Sequence, residues 1–225
     1  MTLAEHPVPA QRRNRLLLFN LRTDADDHIL GFTTRWIRAL APYYGAVDVL
    51  TTHAGRLDVP ENVRVFSVGR EENAGRFTRI LRFYGILARL LASHHYDACF
   101  AHMQPLFAAM AAPLLTLRGV RVTTWYTHRQ LNRQVIWAER LSYRIVSAVP
   151  SSFPIETPKL RALGHGIETH FFTPDSAVAT QCRILYVARL TEIKRQHWLL
   201  QAAKDLPCEI VLVGDIPDGY DDGYK

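Results

Sequence analysis

The sequence has few cysteines, no long apolar run and no secretory leader, and each of these excludes a class of protein. Only Cys99, Cys182 and Cys208 occur, far apart and without a CxxC pair. This spacing argues against a disulfide scaffold or a zinc ribbon and is typical of a reducing compartment. No apolar run reaches the roughly 20 residues that a membrane-spanning helix needs, and the start, MTLAEHPVPAQRRNR, lacks the apolar core of a signal peptide. We therefore expect a soluble, cytoplasmic protein.

Fingerprints of common cofactors are also lacking. The first apolar run is not followed by GxGxxG, and 164–166 (GHG) lacks the third glycine and the helix that a dinucleotide fingerprint requires. NAD binding is therefore not expected. A group of metal-ligating side chains matches no standard zinc spacing: His94, His95, Cys99 and His102. We expect no metal and no cofactor.

Acidic residues are scarce in the middle of the chain. The 225 residues carry 27 Lys and Arg against 21 Asp and Glu, a formal net charge of +6. Between Asn73 and Ala138 there are eight arginines and one acid, Asp97. This stretch indicates either a solvated arginine-rich surface or attraction to an anionic membrane or a phosphorylated substrate. No nucleic-acid-binding module is recognisable, so no nucleic-acid partner is expected.

Apolar runs alternate with helical patterns along most of the chain. Strands are predicted at 15–20, 47–51, 63–68, 96–102, 120–126, 144–149 and 159–163, and helices at 32–45, 76–94, 105–118 and 131–143. This alternation predicts an α/β, Rossmann-like domain with a parallel sheet covered on both faces.

The pattern pauses in an irregular stretch and then restarts. The restart predicts a strand at 182–187, a helix at 195–206 and a strand at 209–213. We therefore expect a first domain over 1–165, a linker over 166–180 and a partial second Rossmann-like domain over 181–225. Two strands and one helix cannot close a core alone, so this second domain is expected to be incomplete.

Two cations follow the strand predicted at 182–187. Arg189 lies at the carboxyl end of that strand, and Lys194 lies five residues later, where the helix approaches. Ligands of open α/β sheets bind beyond the carboxyl ends of strands, and a helix N-terminus there favours anions. Arg189 and Lys194 are therefore candidates for a diphosphate clamp. Two solvated cations beside a turn are the alternative.

Three segments, in this order, resemble family 4 glycosyltransferases, which have the GT-B fold. They are GHGIETHFFTP (164–174), VARLTEIKRQHWLLQAA (187–203) and IVLVGD (210–215). The sequence departs from the family pattern at His165, usually Asn, and at Ala188, usually Gly. The Glu-x7-Glu region that contacts the donor sugar in that family has no counterpart here.

The resemblance implies a retaining, metal-independent hexosyltransferase. Its donor would be a nucleotide-diphosphate sugar, and its acceptor a glycan, a lipid-linked or a small molecule. The first domain would be the acceptor side, and 181–225 the opening of the donor-binding domain. A chain truncated in this way is expected to be inactive alone. A non-catalytic module that retains acceptor or membrane-surface binding is the alternative.

Further site residues lie at the ends of predicted strands of the first domain. His128 is the last residue of the strand that ends in WYTH (125–128). The resemblance implies that it lies beside the transferred sugar as the catalytic residue. Gly31, without a Cβ, allows its loop to approach the donor phosphate closely. An ordinary polar loop residue and a plain turn are the respective alternatives. The nearby acids Asp24, Asp26 and Asp27 either bind acceptor hydroxyls or favour the dipole of the next helix, and we prefer the second interpretation. No general base is assigned.

The helix predicted over 76–94 is amphipathic in an unusual way. One apolar stripe is predicted to pack on the sheet: Phe77, Ile80, Leu81, Tyr84, Leu87, Ala88 and Leu91. The opposite side is predicted to mix cations with apolar residues: Arg79, Arg82, Arg89, Phe83, Ile86 and Leu90. Basic residues mixed with apolar ones are typical of an interfacial helix, so peripheral attachment to an anionic membrane is one interpretation. A second protein contact or scattered surface apolar residues is the other.

Overall fold

The computed structural model describes residues 14–167, 169, 172–174 and 182–216. These residues fall into two compact units, divided between Gly166 and Ile167. Most of the predicted linker, 166–180, and the C-terminal residues 217–225 lie outside the described residues. Each unit is described by itself.

The larger unit alternates strands and helices as predicted. Its strands are β1 (Arg15–Thr23), β2 (Ala46–Ala54), β3 (Val63–Ser67), β4 (Ala98–His102), β5 (Arg121–Trp125), β6 (Arg144–Ser147) and β7 (Leu160–Ala162). Its helices are α1 (Phe32–Leu40), α2 (Arg76–Ser93), α3 (Pro105–Leu117) and α4 (Arg133–Leu141). Short 3-10 turns occupy Ala41–Tyr43 and Pro150–Ser152.

All seven strands form one parallel sheet. Their order is β3-β2-β1-β4-β5-β6-β7, and every neighbouring pair runs parallel. The chain moves outward from β1 to β3 and then returns to place β4 on the other side of β1. The sheet therefore has its topological switch point between β1 and β4, where α/β proteins form a ligand crevice at the carboxyl ends of the strands.

Successive side chains of β1 enter two different cores. Leu17 and Phe19 are buried against α2 and α3, whereas Leu16 and Leu18 are buried with Ile37 of α1. Phe19 lies 5.9 Å from Phe83 and 6.0 Å from Phe107, measured between ring centroids. Because helices cover both faces, each strand must be apolar on both sides, which explains the short, almost wholly apolar runs.

The structure confirms Leu87 and Leu91 of the core stripe predicted on α2, but the buried face is rotated towards Phe83 and Leu90. Its buried residues are Phe83, Leu87, Leu90 and Leu91, and Ile86 packs against the same core. Phe77, Leu81 and Tyr84, which were expected to face the sheet, are 73%, 57% and 40% exposed. The helix carries two apolar stripes, and the one that meets Phe19 and Phe107 is buried. Periodicity alone does not choose between two such stripes.

The membrane face predicted on α2 is therefore wrong as well. Its apolar members Phe83 and Leu90 belong to the core. Of its cations, Arg82 pairs with Glu72 at 2.6 Å, and the guanidinium of Arg89 lies 5.7 Å from the ring centroid of Phe66. These contacts are made within the larger unit, so they do not form the basic and apolar face that the periodicity predicted.

A buried carboxylate links four segments at the amino end of the sheet. Asp48 of β2 is fully buried and accepts hydrogen bonds from Arg15 Nη1 at 2.9 Å, Arg64 Nε at 2.7 Å and Tyr96 Oη at 2.6 Å. Burial by itself raises the pKa of the Asp48 carboxyl, but the hydrogen bonds from Arg64, Tyr96 and Arg15 outweigh it, so the pKa lies below its usual value. The cluster joins β1, β2 and β3 to Tyr96, which lies two residues before β4.

The smaller unit contains β8 (Arg183–Val187), α5 (Gln196–Ala203) and β9 (Glu209–Val213). β8 and β9 are parallel, with Arg183 opposite Glu209. This register places Cys182 beside Cys208, and the two form a disulfide with their Cα atoms 4.7 Å apart. The sequence argued against a disulfide scaffold but did not predict this single bond, because the two cysteines are 26 residues apart and become neighbours only through the strand register.

We predict that Asp48→Asn destabilises the larger unit by about 3 kcal/mol, since removing one partner of a buried ion pair leaves the other unpaired. The stabilisation by Asp48 is present above the unfolded-state pKa near 3.8 and is lost as the pH falls through the lower pKa of the folded state. Urea denaturation at neutral and acidic pH measures both effects. Asp58→Asn, which removes the exposed partner of Arg38, is the control and should change stability by less than about 0.5 kcal/mol.

Candidate functional site

Two buried polar side chains meet at the switch point of the larger unit. Asn20 of β1 is opposite His102 of β4 in the strand register, and both are buried. Asn20 Nδ2 donates to the carbonyl of Arg22 at 2.7 Å and to Thr23 Oγ1 at 3.0 Å, and Asn20 Oδ1 lies 3.4 Å from His102 Nδ1. Burial lowers the pKa of His102 to about 4, so the imidazole is neutral at pH 7.

Aromatic rings from α1, β5 and residue 165 surround this pair. The ring of Trp36 lies 4.8 Å from that of His102 and 5.1 Å from that of Trp125, measured between centroids. His165 extends the row at 6.0 Å from Trp125, and Phe32 lies 6.2 Å from His102. The part of the crevice edge beside His102 and Trp125 is therefore lined by aromatic rings.

The loop after β4 combines backbone strain with an unpaired donor. Met103 adopts a left-handed conformation with φ of 51°, which a side chain other than glycine rarely adopts. Gln104 is 6% exposed, and its Nε2 has no hydrogen-bond partner among the described residues. Strained residues and unsatisfied buried donors are both concentrated at functional sites.

His128 lies at the same edge of the sheet, in the loop between β5 and α4. Its side chain is exposed, and its Nδ1 accepts a hydrogen bond from the backbone N–H of Gln130 at 3.0 Å. A neutral ring held in this way carries its proton on Nε2, which can then donate a hydrogen bond. Its ring lies 6.3 Å from that of Tyr126.

Gly31 immediately precedes α1 and is packed by its own loop. A Cβ added at this position would lie 2.7 Å from the carbonyl oxygen of Asp27 and 3.0 Å from that of Ala25. The missing side chain therefore allows the loop to close on itself. Binding of a donor phosphate by Gly31 stays a prediction.

The three acids of this loop do not act on the helix dipole as expected. The first turn of α1 contains no acidic residue. Asp27 accepts from the backbone N–H of Ile29 at 2.9 Å and pairs with Arg22, and Asp26 pairs with Arg56 at 2.7 Å. These carboxylates order the loop itself.

In the smaller unit, Arg189 and Lys194 occupy the loop between β8 and α5. Both side chains are exposed, and within residues 182–216 neither makes a hydrogen bond or an ion pair. Their backbone is fixed instead: Gln196 Nε2 donates to the carbonyl of Arg189 at 2.8 Å, and Tyr186 Oη donates to the carbonyl of Lys194 at 2.6 Å. The loop therefore presents two exposed cations on a held backbone.

The predicted site residues form two groups. His128 and Gly31 lie in the larger unit, and Arg189 and Lys194 lie in the smaller one. Sequence reasoning missed Asn20, His102 and Gln104. The available signal was a polar residue at or just after the end of an apolar strand, as in RLLLFN and ACFAHMQ.

Residues 14–167 and 182–216, with the few described between them, contain no group of three or more His, Cys, Asp or Glu side chains placed to hold a metal ion. No described helix is long and apolar enough to cross a bilayer.

Comparison with known proteins finds similarity in structure rather than in sequence. No protein-family model and no curated protein matches the chain. The crystal structure of Anabaena HepE in complex with UDP is similar with a TM-score of 0.67 at 16% identity, over 94% of this chain and 63% of that chain. The crystal structure of Acinetobacter baumannii MurG has a TM-score of 0.52 at 10% identity, over 91% of this chain and 69% of that chain.

These similarities concern the fold. Both structures are of the GT-B type, and they confirm the predicted α/β, Rossmann-like architecture with a parallel sheet. The chain spans 63% of the length of the HepE chain. Membership of family 4 stays a prediction.

We predict that NMR detects protonation of His102 near pH 4, because burial disfavours the charged ring. The folded-state pKa lies below the value of 6.5 for an exposed histidine, so the unfolded chain takes up this proton first. Stability should therefore fall as the pH drops from about 6.5 towards 4. His102→Gln should make that part of the stability profile flatter, and an unchanged profile would contradict the assignment.

Proposed function

We propose that the protein is a nucleotide-sugar glycosyltransferase that uses the Arg189–Lys194 loop to bind the donor diphosphate. The observation that carries the proposal is the pair of exposed cations, five residues apart beyond the end of β8, without partners within residues 182–216. Arginine binds two phosphate oxygens with its planar fork, whereas lysine acts as a point charge. Together they match the charge of a diphosphate.

The structural neighbours support the same class of reaction. HepE and MurG are GT-B glycosyltransferases, and the HepE crystal structure contains UDP. The finer parts of the proposal rest on the sequence resemblance to family 4. They are transfer of a hexose with retention of configuration, independence of metal, and a glycan, lipid-linked or small acceptor. A cytoplasmic location also stays a prediction.

Charge stabilisation is the central step of the proposed reaction. When the bond to the sugar breaks, negative charge develops on the departing diphosphate, and preorganised cations lower the energy of that transition state. Arg189 and Lys194 supply the cations. The loop needs little reorganisation for this role, because its backbone is held by Gln196 and Tyr186.

In this proposal, the larger unit binds the acceptor. Its crevice edge offers aromatic rings and the neutral His102, which suit an uncharged hydroxyl-bearing ring better than a phosphate. His128, with Nε2–H available when neutral, would donate a hydrogen bond to the transferred sugar or to a developing negative charge. Of the two histidines, the exposed His128 is the candidate catalytic residue.

We predict that Arg189→Gln and Lys194→Gln each weaken UDP binding about ten- to a hundredfold, since a charge-assisted hydrogen bond to phosphate contributes about 1.5–3 kcal/mol. Titration calorimetry with UDP measures the loss. Lys204→Gln is the matched control, because Lys204 is an exposed cation of the same unit outside this loop. Unchanged affinity in both folded variants would remove the two cations from the site.

We predict that His128→Ala lowers the rate of sugar transfer about a hundredfold while leaving the UDP affinity unchanged. His95→Ala is the control, since His95 is exposed in the loop before β4, at the opposite edge of the sheet. Transfer rates from UDP-sugars, followed by UDP release, provide the measurement. Equal rates for the two variants would exclude a catalytic role for His128.

A further inference from the structure

Helices α2, α3 and α4 cover the same side of the sheet and leave large apolar side chains in solvent. Phe77, Leu81 and Tyr84 follow one another at helical spacing along the outer side of α2. Trp137 and Leu141 of α4 are exposed as well, by 49% and 36%. This outer surface of the three helices is called the helical face below. It is distinct from the α2 face predicted from periodicity, whose apolar members are buried.

The helical face contains a groove of about 560 Å³. Its walls come from all three helices: Arg76, Leu106, Ala109, Met110, Arg133, Gln134, Trp137 and Leu141. Tyr84 Oη reaches the carbonyl of Met110 at 3.5 Å, which connects the exposed stripe of α2 with the groove. The groove and the stripe therefore form one continuous apolar surface.

Cations border this surface without matching acids. Arg76 and Arg133 are exposed at the first residues of α2 and α4, and neither forms an ion pair within the described residues of the larger unit. The guanidinium of Arg140 lies 5.5 Å from the ring centroid of Trp137. α2 and α3 contain no acidic residue, and Glu139 of α4 is engaged by Thr157 at 2.8 Å and by Lys159 at 3.8 Å.

We propose that the helical face attaches the protein peripherally to an anionic membrane surface. Phe77, Leu81 and Trp137 enter the interfacial layer, and Arg76, Arg133 and Arg140 bind lipid headgroups. The argument is charge complementarity. A surface that joins exposed aromatic and aliphatic side chains to unpaired arginines fits apolar lipid beneath anionic headgroups. This inference concerns attachment and does not depend on the proposed transferase activity.

The attachment has a defined orientation relative to the crevice. Arg76 and Arg133 lie at the N-termini of helices that follow the carboxyl ends of β3 and β5. Those strand ends are at the same edge of the sheet as Asn20 and His102. Arg76 and Arg133 therefore lie towards the crevice edge, whereas Arg140 lies in the last turn of α4, towards the opposite edge. A membrane bound through Arg76 and Arg133 is close to the crevice edge of the larger unit.

Co-sedimentation with vesicles tests the proposal. The full chain is expected to bind vesicles of phosphatidylcholine and phosphatidylglycerol, to bind pure phosphatidylcholine weakly, and to be released as salt rises, because salt screens the attraction. Brominated lipids in the anionic vesicles should quench the emission of Trp137. Trp137→Phe should abolish that quenching if this side chain inserts.

Charge-reversal variants locate the binding surface. Arg76→Glu with Arg133→Glu should weaken binding to the anionic vesicles about tenfold or more. Arg38→Glu with Arg161→Glu is the control, since both residues are outside the helical face. Each Arg→Glu change removes two units of charge, so both pairs lower the formal net charge from +6 to +2. Phe77→Ser with Leu81→Ser tests the apolar part and should leave thermal unfolding unchanged.

Three results would overturn the proposal. The first is equal binding to neutral and anionic vesicles, or no binding to either. The second is an equal loss of binding in the helical-face pair and in the control pair, which would indicate a net-charge effect without a defined surface. The third is a dimer in lipid-free sedimentation that Phe77→Ser with Leu81→Ser dissociates, which would make the helical face a contact between two copies of the chain.

Discussion

The seven parallel strands of the larger unit have to be covered on both faces, and most of its other features follow from this requirement. Neighbouring residues of β1 enter opposite cores, so this central strand has only apolar side chains between Arg15 and Asn20. Polar groups are accommodated at the two edges. The amino edge holds Asp48 between two arginines and Tyr96, and the carboxyl edge holds Asn20 and His102. The polar groups that hold the strands together and the polar groups of the candidate site thus lie at opposite ends of the strands.

Much of the fold could be predicted because its signals are local. Short apolar runs and helical periodicity identified the strands and helices of both units, including the pair β8 and β9. The orientation of α2 could not be predicted, since Phe77 and Phe83 both belong to plausible apolar stripes. The buried stripe is the one that contains Phe83, because the ring of Phe83 packs against the rings of Phe19 and Phe107.

The same distinction applies to the site. The position of Arg189 and Lys194 in the loop after β8 could be predicted, because a strand end and a five-residue spacing can be read from adjacent residues. Gln104 could not be found, because its significance comes from a buried amide without a partner, which is a property of packing. The disulfide was missed for the related reason that Cys182 and Cys208 become neighbours through strand register.

The Cys182–Cys208 bond closes a covalent ring that contains Arg189, Lys194 and the whole of α5. A ring restricts the unfolded chain, so a reductant that opens it returns conformational entropy to the unfolded state and lowers the stability of the smaller unit. Cys99 in the larger unit behaves differently, because burial raises the pKa of its thiol and keeps it from thiol exchange. One polypeptide thus joins a unit that contains a reducible cross-link to a unit whose single cysteine is buried.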